Sequence, residues 1–266
     1  MAEAAQGTPV WADATFPDLQ AAKDFYGRVL GWTFGEPAPE YGGYTQAYAD
    51  GRAVAALAPP MEGQDAAAPP LWTLYLASPD VAATAEDIRR NGGRLVLDPM
   101  AVGEFGSMCL ATDPGGALFG VWQPGTHRGF EAREVPGAYA WAEVFTRTPE
   151  QSDAFFTGVF GFTRKVMRDP QIDFAVYGPG EGDPVLGRMT MGEGDFPPEV
   201  PSYVQVYFAV PDCDAAVAAA EEAGGRMVFG PLTTPFGRFA ALLDPQGAAF
   251  AVIDLAAAGG EQPAFD

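Results

Sequence analysis

Hydrophobic and polar positions follow a repeating order along the chain, in which short apolar runs alternate with amphipathic, helix-like stretches. The helix-like stretches open at four similar pairs: Pro17-Asp18, Pro79-Asp80, Pro149-Glu150 and Pro211-Asp212. An acidic residue at this place accepts hydrogen bonds from the free N–H groups of a helix start and faces the positive end of its dipole. The pattern therefore predicts four helices that begin at these pairs.

Short runs rich in β-branched and aromatic residues follow each predicted helix, and Gly, Pro and Asp separate them. Two examples are "GGYTQAYADGRAVAALA" and "GSMCLATDPGGALFGVWQ". The tetrapeptides "ADGR" and "DPGG" inside them are typical of the turns in β-hairpins. Each quarter of the chain is therefore predicted to fold as a β-α-β-β-β module.

The two halves of the chain repeat each other as well. "WADATFPDLQAAKDFYGRVLGW" in the first half aligns without a gap with "WAEVFTRTPEQSDAFFTGVFGF" in the second half. Such internal similarity indicates tandem structural units. We expect an α+β protein with a first domain of two modules over residues 1–124, a linker over 125–136 and a second domain of two modules over 137–266.

Composition supports a globular chain with ordinary cores. The 266 residues are 48% hydrophobic and 19% charged, and no apolar run is long enough to cross a bilayer. The start, "MAEAAQGTPVWADATF", lacks the basic and apolar regions of a signal peptide. With only two cysteines, Cys109 and Cys213, a disulfide framework is not expected. We predict a cytoplasmic protein that does not associate with membranes.

The formal charge of −20 restricts the possible partners. A strongly negative field repels phosphate backbones, so nucleic-acid binding is not expected. The same field favours cationic ligands, although solubility is the simpler explanation of the excess of acidic residues.

The helix motif "DFYGRVLGW", the two "DP-x-G" turns and the four predicted modules together resemble the vicinal oxygen chelate superfamily. That superfamily includes glyoxalase I, fosfomycin-resistance enzymes, extradiol dioxygenases and bleomycin-binding proteins. The resemblance implies that two modules curl their strands into one open, cupped sheet in each half. It identifies a fold and leaves the reaction open, because function depends on the site.

The resemblance also implies where a metal ion would bind, since metal-dependent members place His, Gln or Glu ligands on three strands. The matching positions are Trp11, Thr73 and Gly120 in the first half and Trp141, Gln205 and Ala251 in the second, with a further position near Ala55 and Leu186. Only Gln205 has a side chain that could coordinate a divalent metal. We therefore predict neither a metal nor another cofactor.

Strand alternation predicts what faces each cup instead. Each cup combines tryptophan, tyrosine and a neutral polar group, which suits a planar amphipathic small molecule. The predicted ligand-binding residues are Trp11, Thr73, Tyr75 and Trp122 in the first half, and Trp141, Arg188, Gln205 and Tyr207 in the second. Trp11 and Trp141 are equally consistent with filling the core of each sheet.

Asp13 and Glu143 occupy equivalent positions and are the candidate catalytic residues. An inward carboxylate is costly unless it is paired or hydrated, and a desolvated one has a raised pKa and can act as a general base. A structural bond to the backbone or to Arg188 is the alternative. Cys109 and Cys213 are expected to be structural, and His127 is expected to be a solvated linker residue.

These features support several functions. The first is a metal-free protein, a monomer or weak homodimer, that sequesters or processes an aromatic secondary metabolite or antibiotic. An alternative is a metal-independent isomerase, cyclase or lyase that uses Asp13 or Glu143 as acid and base. A metal-dependent glyoxalase or dioxygenase fits the ligand positions least well. A structural role remains open if side chains fill both cups.

Overall fold

The fold was analysed in a computed structural model, which describes residues 4–60, 70–180, 182–194 and 196–266. The first half contains two modules. Their elements are β1 (Pro9–Thr15), α1 (Leu19–Leu30), β2 (Thr33–Phe34), β3 (Thr45–Ala49) and β4 (Arg52–Ala58), then β5 (Trp72–Ala77), α2 (Val81–Arg90), β6 (Arg94–Val102), β7 (Gly106–Thr112) and β8 (Leu118–Pro124).

The second half repeats this order. Its elements are β9 (Tyr139–Thr146), α3 (Pro149–Phe160), β10 (Phe162–Val166), β11 (Phe174–Pro179) and β12 (Leu186–Thr190), then β13 (Tyr203–Ala209), α4 (Cys213–Glu222), β14 (Arg226–Thr234), β15 (Gly237–Leu243) and β16 (Ala249–Asp254). The four predicted β-α-β-β-β modules and the α+β class are confirmed. None of the helices in the described ranges has the length and apolar character needed to cross a membrane.

Three of the four helices begin as predicted. The carboxylates of Asp18, Asp80 and Asp212 accept hydrogen bonds from backbone N–H groups in the first turns of α1, α2 and α4. The start of α3 differs, because Thr148 precedes the helix and its side chain makes no capping bond. Glu150 lies inside the first turn of α3, so the cap predicted for it is wrong, and its charge can favour the helix only through the dipole.

Each half forms one open eight-stranded sheet, with strand order β2-β3-β4-β1-β5-β8-β7-β6 in the first half and β10-β11-β12-β9-β13-β16-β15-β14 in the second. Alternating residues of the central strands face opposite sides. In β1, Ala12 and Ala14 belong to the main core, whereas Trp11 packs in a separate cluster on the other side. We call the side of Trp11 in the first sheet the first cup, and the corresponding side in the second sheet the second cup.

The halves pack together through helices that reach across to the opposite half. Helix α1 contacts α4, and α3 contacts α2. The hydroxyl of Tyr26 in α1 donates a hydrogen bond of 3.0 Å to Oδ2 of Asp244, and Trp72 Nε1 donates to that hydroxyl at 2.9 Å. One continuous hydrophobic core therefore lies between the sheets, and the two cups face away from it.

Two connecting segments run beside the cups. The predicted linker 125–136 lies against the first sheet, where the Phe130 N–H donates to Val10 O at 2.7 Å and Glu131 accepts from the Ala53 N–H at 2.7 Å. The C-terminal segment runs from β14 to β10, since the Gly259 N–H bonds to Thr234 O and Asp266 pairs with Val166. It therefore connects the two edge strands of the second sheet.

Candidate functional site: the two cups

The strand register brings most of the predicted residues together in the first cup. Trp11 lies opposite Tyr75, Asp13 lies opposite Thr73, and Tyr75 lies opposite Gly120 on β8. Opposed residues in a sheet project to the same face. Trp11, Thr73, Tyr75 and Asp13 therefore line one concave surface, and Trp122 packs with them.

Asp13 ends a chain of hydrogen bonds at the floor of the first cup. The Nε1 of Trp11 donates to the hydroxyl of Tyr44 at 2.7 Å, and this hydroxyl donates to Oδ2 of Asp13 at 2.9 Å. Tyr44, which lies just before β3, was not among the site residues predicted from the sequence. It lies two residues before Gln46 and four before Tyr48, and this alternation is the signal that could have identified it.

Burial dominates the acid–base properties of the first cup. It raises the pKa of Asp13 to about 7, although hydrogen bonds from Tyr44 and Tyr75 oppose this effect by stabilising the carboxylate. Burial also raises the pKa of both tyrosines well above the ordinary value, and the charge of Asp13 adds to the rise. Both hydroxyls therefore stay protonated and act as donors near neutral pH.

Side chains fill the first cup. Trp11, Tyr75 and Trp122 are only 4%, 6% and 7% exposed. His127 is packed rather than solvated as predicted, because its ring lies edge-on to Trp11 at 4.5 Å between centroids. Trp122 Nε1 donates to the carbonyl of His127 at 3.0 Å. The linker thus packs over the tryptophans of the first cup, while Asp13 and Tyr44 stay partly exposed.

Glu143 occupies the floor of the second cup with a different set of donors. Trp141 Nε1 donates to Oε1 at 3.2 Å, and the Tyr207 hydroxyl donates to Oε2 at 2.8 Å. Burial raises the pKa of Glu143 to about 7, while these two hydrogen bonds oppose the rise. The second cup therefore also holds a carboxyl group that titrates near neutral pH.

Gln205 lies opposite Glu143 in the strand register, and Tyr207 lies opposite both Trp141 and Ala251. The side chain of Gln205 is buried, and its amide donates a long hydrogen bond of 3.3 Å to Val206 O. Trp141, Gln205 and Tyr207 are thus brought to one surface around Glu143, as predicted. Their roles in ligand binding stay predictions.

Aromatic side chains surround the open part of the second cup. Phe145 stacks on Tyr203 with 4.9 Å between ring centroids, and Phe196 lies at 5.7 Å from Phe145. On the opposite wall Phe239 lies 5.8 Å from Tyr207 and 5.9 Å from Phe229, which is 55% exposed. These rings form an accessible apolar surface next to the carboxylate.

Arg188 does not enter the second cup. It pairs with Val144 in the register, so its side chain lies on the helix side of β12, and Gly187 is the residue opposite Glu143. The Arg188 guanidinium is 2% exposed and bonds to Asp153 at 3.2 Å and Asp173 at 2.8 Å. The prediction placed it on the wrong face, because a shift of one residue reverses the direction of every side chain in a strand.

The donor atoms in the cups do not fit a divalent metal. Within the described residues no group of three His, Cys, Asp or Glu side chains is close enough to hold one. A Cβ at Gly120 would lie 2.2 Å from the ring of Tyr75, so that ring occupies the place of a ligand side chain there. Ala55 and Leu186, the further positions expected from the resemblance, lie in the main core.

The other residues of interest lie outside the cups. Cys109 and Cys213 are buried and free, and burial raises the pKa of each thiol to about 11. A crevice of about 320 Å³ lies between the halves, and Leu30, Pro136 and Pro211 are among its lining residues. None of the predicted ligand-binding or catalytic side chains lines this crevice.

Comparison with known proteins places this geometry in a family. Residues 9–121 and 138–252 each match the family model described as "Glyoxalase/Bleomycin resistance protein/Dioxygenase superfamily". The two matches coincide with the two sheets.

Three individual proteins illustrate the similarity. A Mycobacterium tuberculosis protein with the provisional name glyoxylase CFP32 is 38% identical over 93% of this chain and 95% of its own length. The anthracycline biosynthesis protein DnrV of Streptomyces peucetius is 36% identical over 98% and 99%. The Mn(II)-bound glyoxalase of Novosphingobium aromaticivorans shares the fold, with a TM-score of 0.62 at 17% identity over 97% of this chain and 87% of that structure.

Proposed function

The chain belongs to the Glyoxalase/Bleomycin resistance protein/Dioxygenase superfamily, and from this premise we propose that it binds an aromatic secondary metabolite in a metal-free cup. The observation that carries the proposal is the second cup. There Glu143 lies at the floor of an accessible surface made by Trp141, Phe145, Tyr203 and Phe239.

The relatives support the chemical class of the ligand. DnrV and DauV are named as anthracycline biosynthesis proteins, and anthracyclines are planar polycyclic aromatic compounds. Flat aromatic molecules stack on aromatic side chains, and a few polar groups then fix their orientation. The second cup offers both kinds of contact.

The two cups differ in how far side chains occupy them, and this difference favours the second cup as the ligand site. Trp11, Tyr75 and Trp122 occupy the first cup and His127 covers it, so a ligand there would have to displace packed side chains. Interiors resist such displacement because they are closely packed. In our proposal the first cup stabilises the fold and the second receives the ligand.

A metal-independent isomerase, cyclase or lyase is the second candidate function. The raised pKa of Glu143, caused by burial, is the observation that favours it, since a carboxyl group with a pKa near 7 can both accept and return a proton at neutral pH. Asp13 has the same property and is also partly exposed, but the packed rings of the first cup lie beside it. If the protein converts a bound compound and Glu143→Gln abolishes that conversion, the result would favour an enzyme over a binding protein.

Titration of chelator-treated protein with aromatic secondary metabolites tests the proposal, with isothermal calorimetry as the measurement. We expect saturable binding at about micromolar concentrations, comparable with that of the untreated protein. Binding or turnover that appears only after addition of a transition metal would contradict it.

We also propose that residues 1–124 and 137–266 act as two domains joined by 125–136, and that the protein works in the cytoplasm as a monomer or weak homodimer. Each half completes its own eight-stranded sheet without a second chain. The two free, buried cysteines fit a reducing compartment.

A further inference from the structure

We infer that the second cup selects aromatic ligands that direct a hydrogen-bond donor, either a phenolic hydroxyl or a protonated amine, at Glu143. This inference rests on the proposed function and specifies the ligand class of the same site. It follows from the bonds that Glu143 makes and from the bonds that it lacks.

The carboxylate of Glu143 is only partly satisfied by the protein. Its two oxygens accept one bond each, from Trp141 at the long distance of 3.2 Å and from Tyr207 at 2.8 Å, whereas an ionised carboxylate can accept about four. Among the ion pairs of the described ranges, none involves Glu143. Acceptor capacity therefore remains, with no cationic side chain paired to it.

A ligand in the second cup would remove the remaining water from Glu143. At a pH above the Glu143 pKa of about 7, a ligand that covers this group with apolar atoms only must either bury a carboxylate without compensating donors or force it to take up a proton. Both are costly. A hydroxyl or ammonium group aimed at Glu143 supplies the missing bond, and charge-assisted bonds of this kind are the stronger ones. Discrimination thus arises from the protein group that an apolar analogue would leave unpaired.

The aromatic platform lies at a suitable distance from this carboxylate. Phe145 and Tyr203 lie opposite each other, two residues along their strands from the opposed pair Glu143 and Gln205. Two residues of a strand span about 6.8 Å. A bicyclic aromatic compound stacked on the platform therefore brings a substituent at its far end to Glu143.

The first cup supports this assignment by contrast. There the Tyr44 hydroxyl, held by Trp11, supplies the donor to Asp13. Phe174 stands at the position that matches Tyr44. It lies two residues before Val176, which pairs with Gly187 opposite Glu143, as Tyr44 lies two residues before Gln46, which pairs with Ala56 opposite Asp13. The ring of Phe174 lies close to Gly187. Asp13 therefore receives two hydroxyl donors, from Tyr44 and Tyr75, whereas Glu143 receives one hydroxyl, from Tyr207, and the longer bond from Trp141.

Calorimetric titration with three matched probes tests the inference: 2,7-dihydroxynaphthalene, its dimethyl ether and 2-(aminomethyl)naphthalene. We expect the dihydroxy compound or the amine to bind at least about tenfold more tightly than the ether, which corresponds to one good hydrogen bond. The tighter of the two identifies the donor as hydroxyl or ammonium. The titrations are run at pH 8, above the Glu143 pKa of about 7. Glu143→Leu, which removes both acceptor oxygens, should abolish this preference, whereas Glu143→Gln keeps one neutral acceptor and should retain part of the preference for the dihydroxy compound. Glu222→Gln on the exposed face of α4 should preserve it.

The outcomes separate the inference from the proposed function. Equal affinities for all three probes, unchanged in Glu143→Gln, would overturn the inference and leave an aromatic-binding cup. Tighter binding of the ether would also overturn it. If no probe binds up to about 1 mM, both the inference and the proposed function fail. A preference that persists undiminished in Glu143→Leu would overturn the inference, because another group would then select the donor.

Discussion

The two cups share a backbone and a carboxylate but differ in the space that they leave. In each, a strand tryptophan and a tyrosine on the neighbouring strand lie opposite each other, and a carboxyl group follows two residues after the tryptophan. Leu110 of the first cup corresponds to Ala241 of the second, because these residues lie opposite Gly120 and Ala251. Trp122 likewise corresponds to Ile253, since they lie opposite Met108 and Phe239. The two halves thus share a frame and differ in the side chains that occupy it.

The covering segments accentuate this difference. The linker brings His127 and Phe130 onto Trp11 in the first cup, whereas the C-terminal segment connects the edge strands of the second sheet. Phe145 replaces Thr15 at the rim, where it stacks on Tyr203. Equivalent positions in the two halves can thus serve packing in one half and remain available for binding in the other.

Removing the equivalent tryptophans gives the largest expected effect. Trp11 is almost fully buried and Trp141 is half-buried. Trp11→Ala should destabilise the protein by about 3–5 kcal/mol, because it creates a cavity in a packed cluster, and Trp141→Ala should cost roughly half as much or less. Urea unfolding measures both. Equal losses would contradict the packing difference between the cups.

Filling the second cup should remove most of the binding. The variant Ile253→Trp places a tryptophan in the second cup at the position that Trp122 holds in the first. We expect the affinity for an aromatic ligand to fall about 100-fold, or about 2.7 kcal/mol. Calorimetry measures the affinity. Leu255→Trp is the control, because Leu255 is exposed outside the cup cluster. Undiminished binding in Ile253→Trp would place the ligand elsewhere.

The two carboxyl groups should make stability depend on pH. Burial raises the folded-state pKa of Asp13 and Glu143 to about 7, so the folded state binds more protons than the unfolded state between about pH 4 and 7. Stability from this source is complete below the unfolded pKa and declines as the pH rises through 7. We expect a loss of about 1–2 kcal/mol per group, allowing for water access.

Unfolding titrations at pH 5 and pH 8 measure this loss. Asp13→Asn and Glu143→Gln should each reduce the difference in unfolding free energy between the two pH values, and the double variant should reduce it most. Variants whose pH dependence equals that of the wild type would refute the raised pKa values. The opposing contribution of His127, whose pKa burial lowers, is common to all of these proteins.

Metal removal should have the smallest effect. Because neither cup presents three suitable ligands within the described ranges, dialysis against a chelator should change ligand affinity by less than about twofold. Metal analysis before and after dialysis, combined with calorimetry, measures this. A parallel loss of bound metal and affinity would reverse the interpretation of the site.

The sequence was sufficient for the architecture because local signals agreed with one another. Aspartates at helix starts and "DP-x-G" turns at hairpins act over a few residues, and Asp18 and Asp113 take the places that such signals predict. Strand alternation likewise placed Trp11, Asp13 and Glu143 on the concave faces. These features depend on short-range geometry, which a sequence displays directly.

The remaining features depend on contacts between distant segments. Arg188 was assigned to the wrong face because strand register is set by pairing with β9. His127 was expected in solvent, but the linker folds back onto Trp11. That one cup is filled and the other accessible follows from this packing, which has no local signature in the chain.

A crystal structure of metal-free protein with bound 2,7-dihydroxynaphthalene tests the central claim most directly. We predict that the compound lies in the second cup, where it stacks against Phe145 and Tyr203 and directs one hydroxyl at Glu143. Trp11 and Trp122 should still occupy the first cup. A ligand bound in the first cup, or held through a metal ion in either cup, would contradict it.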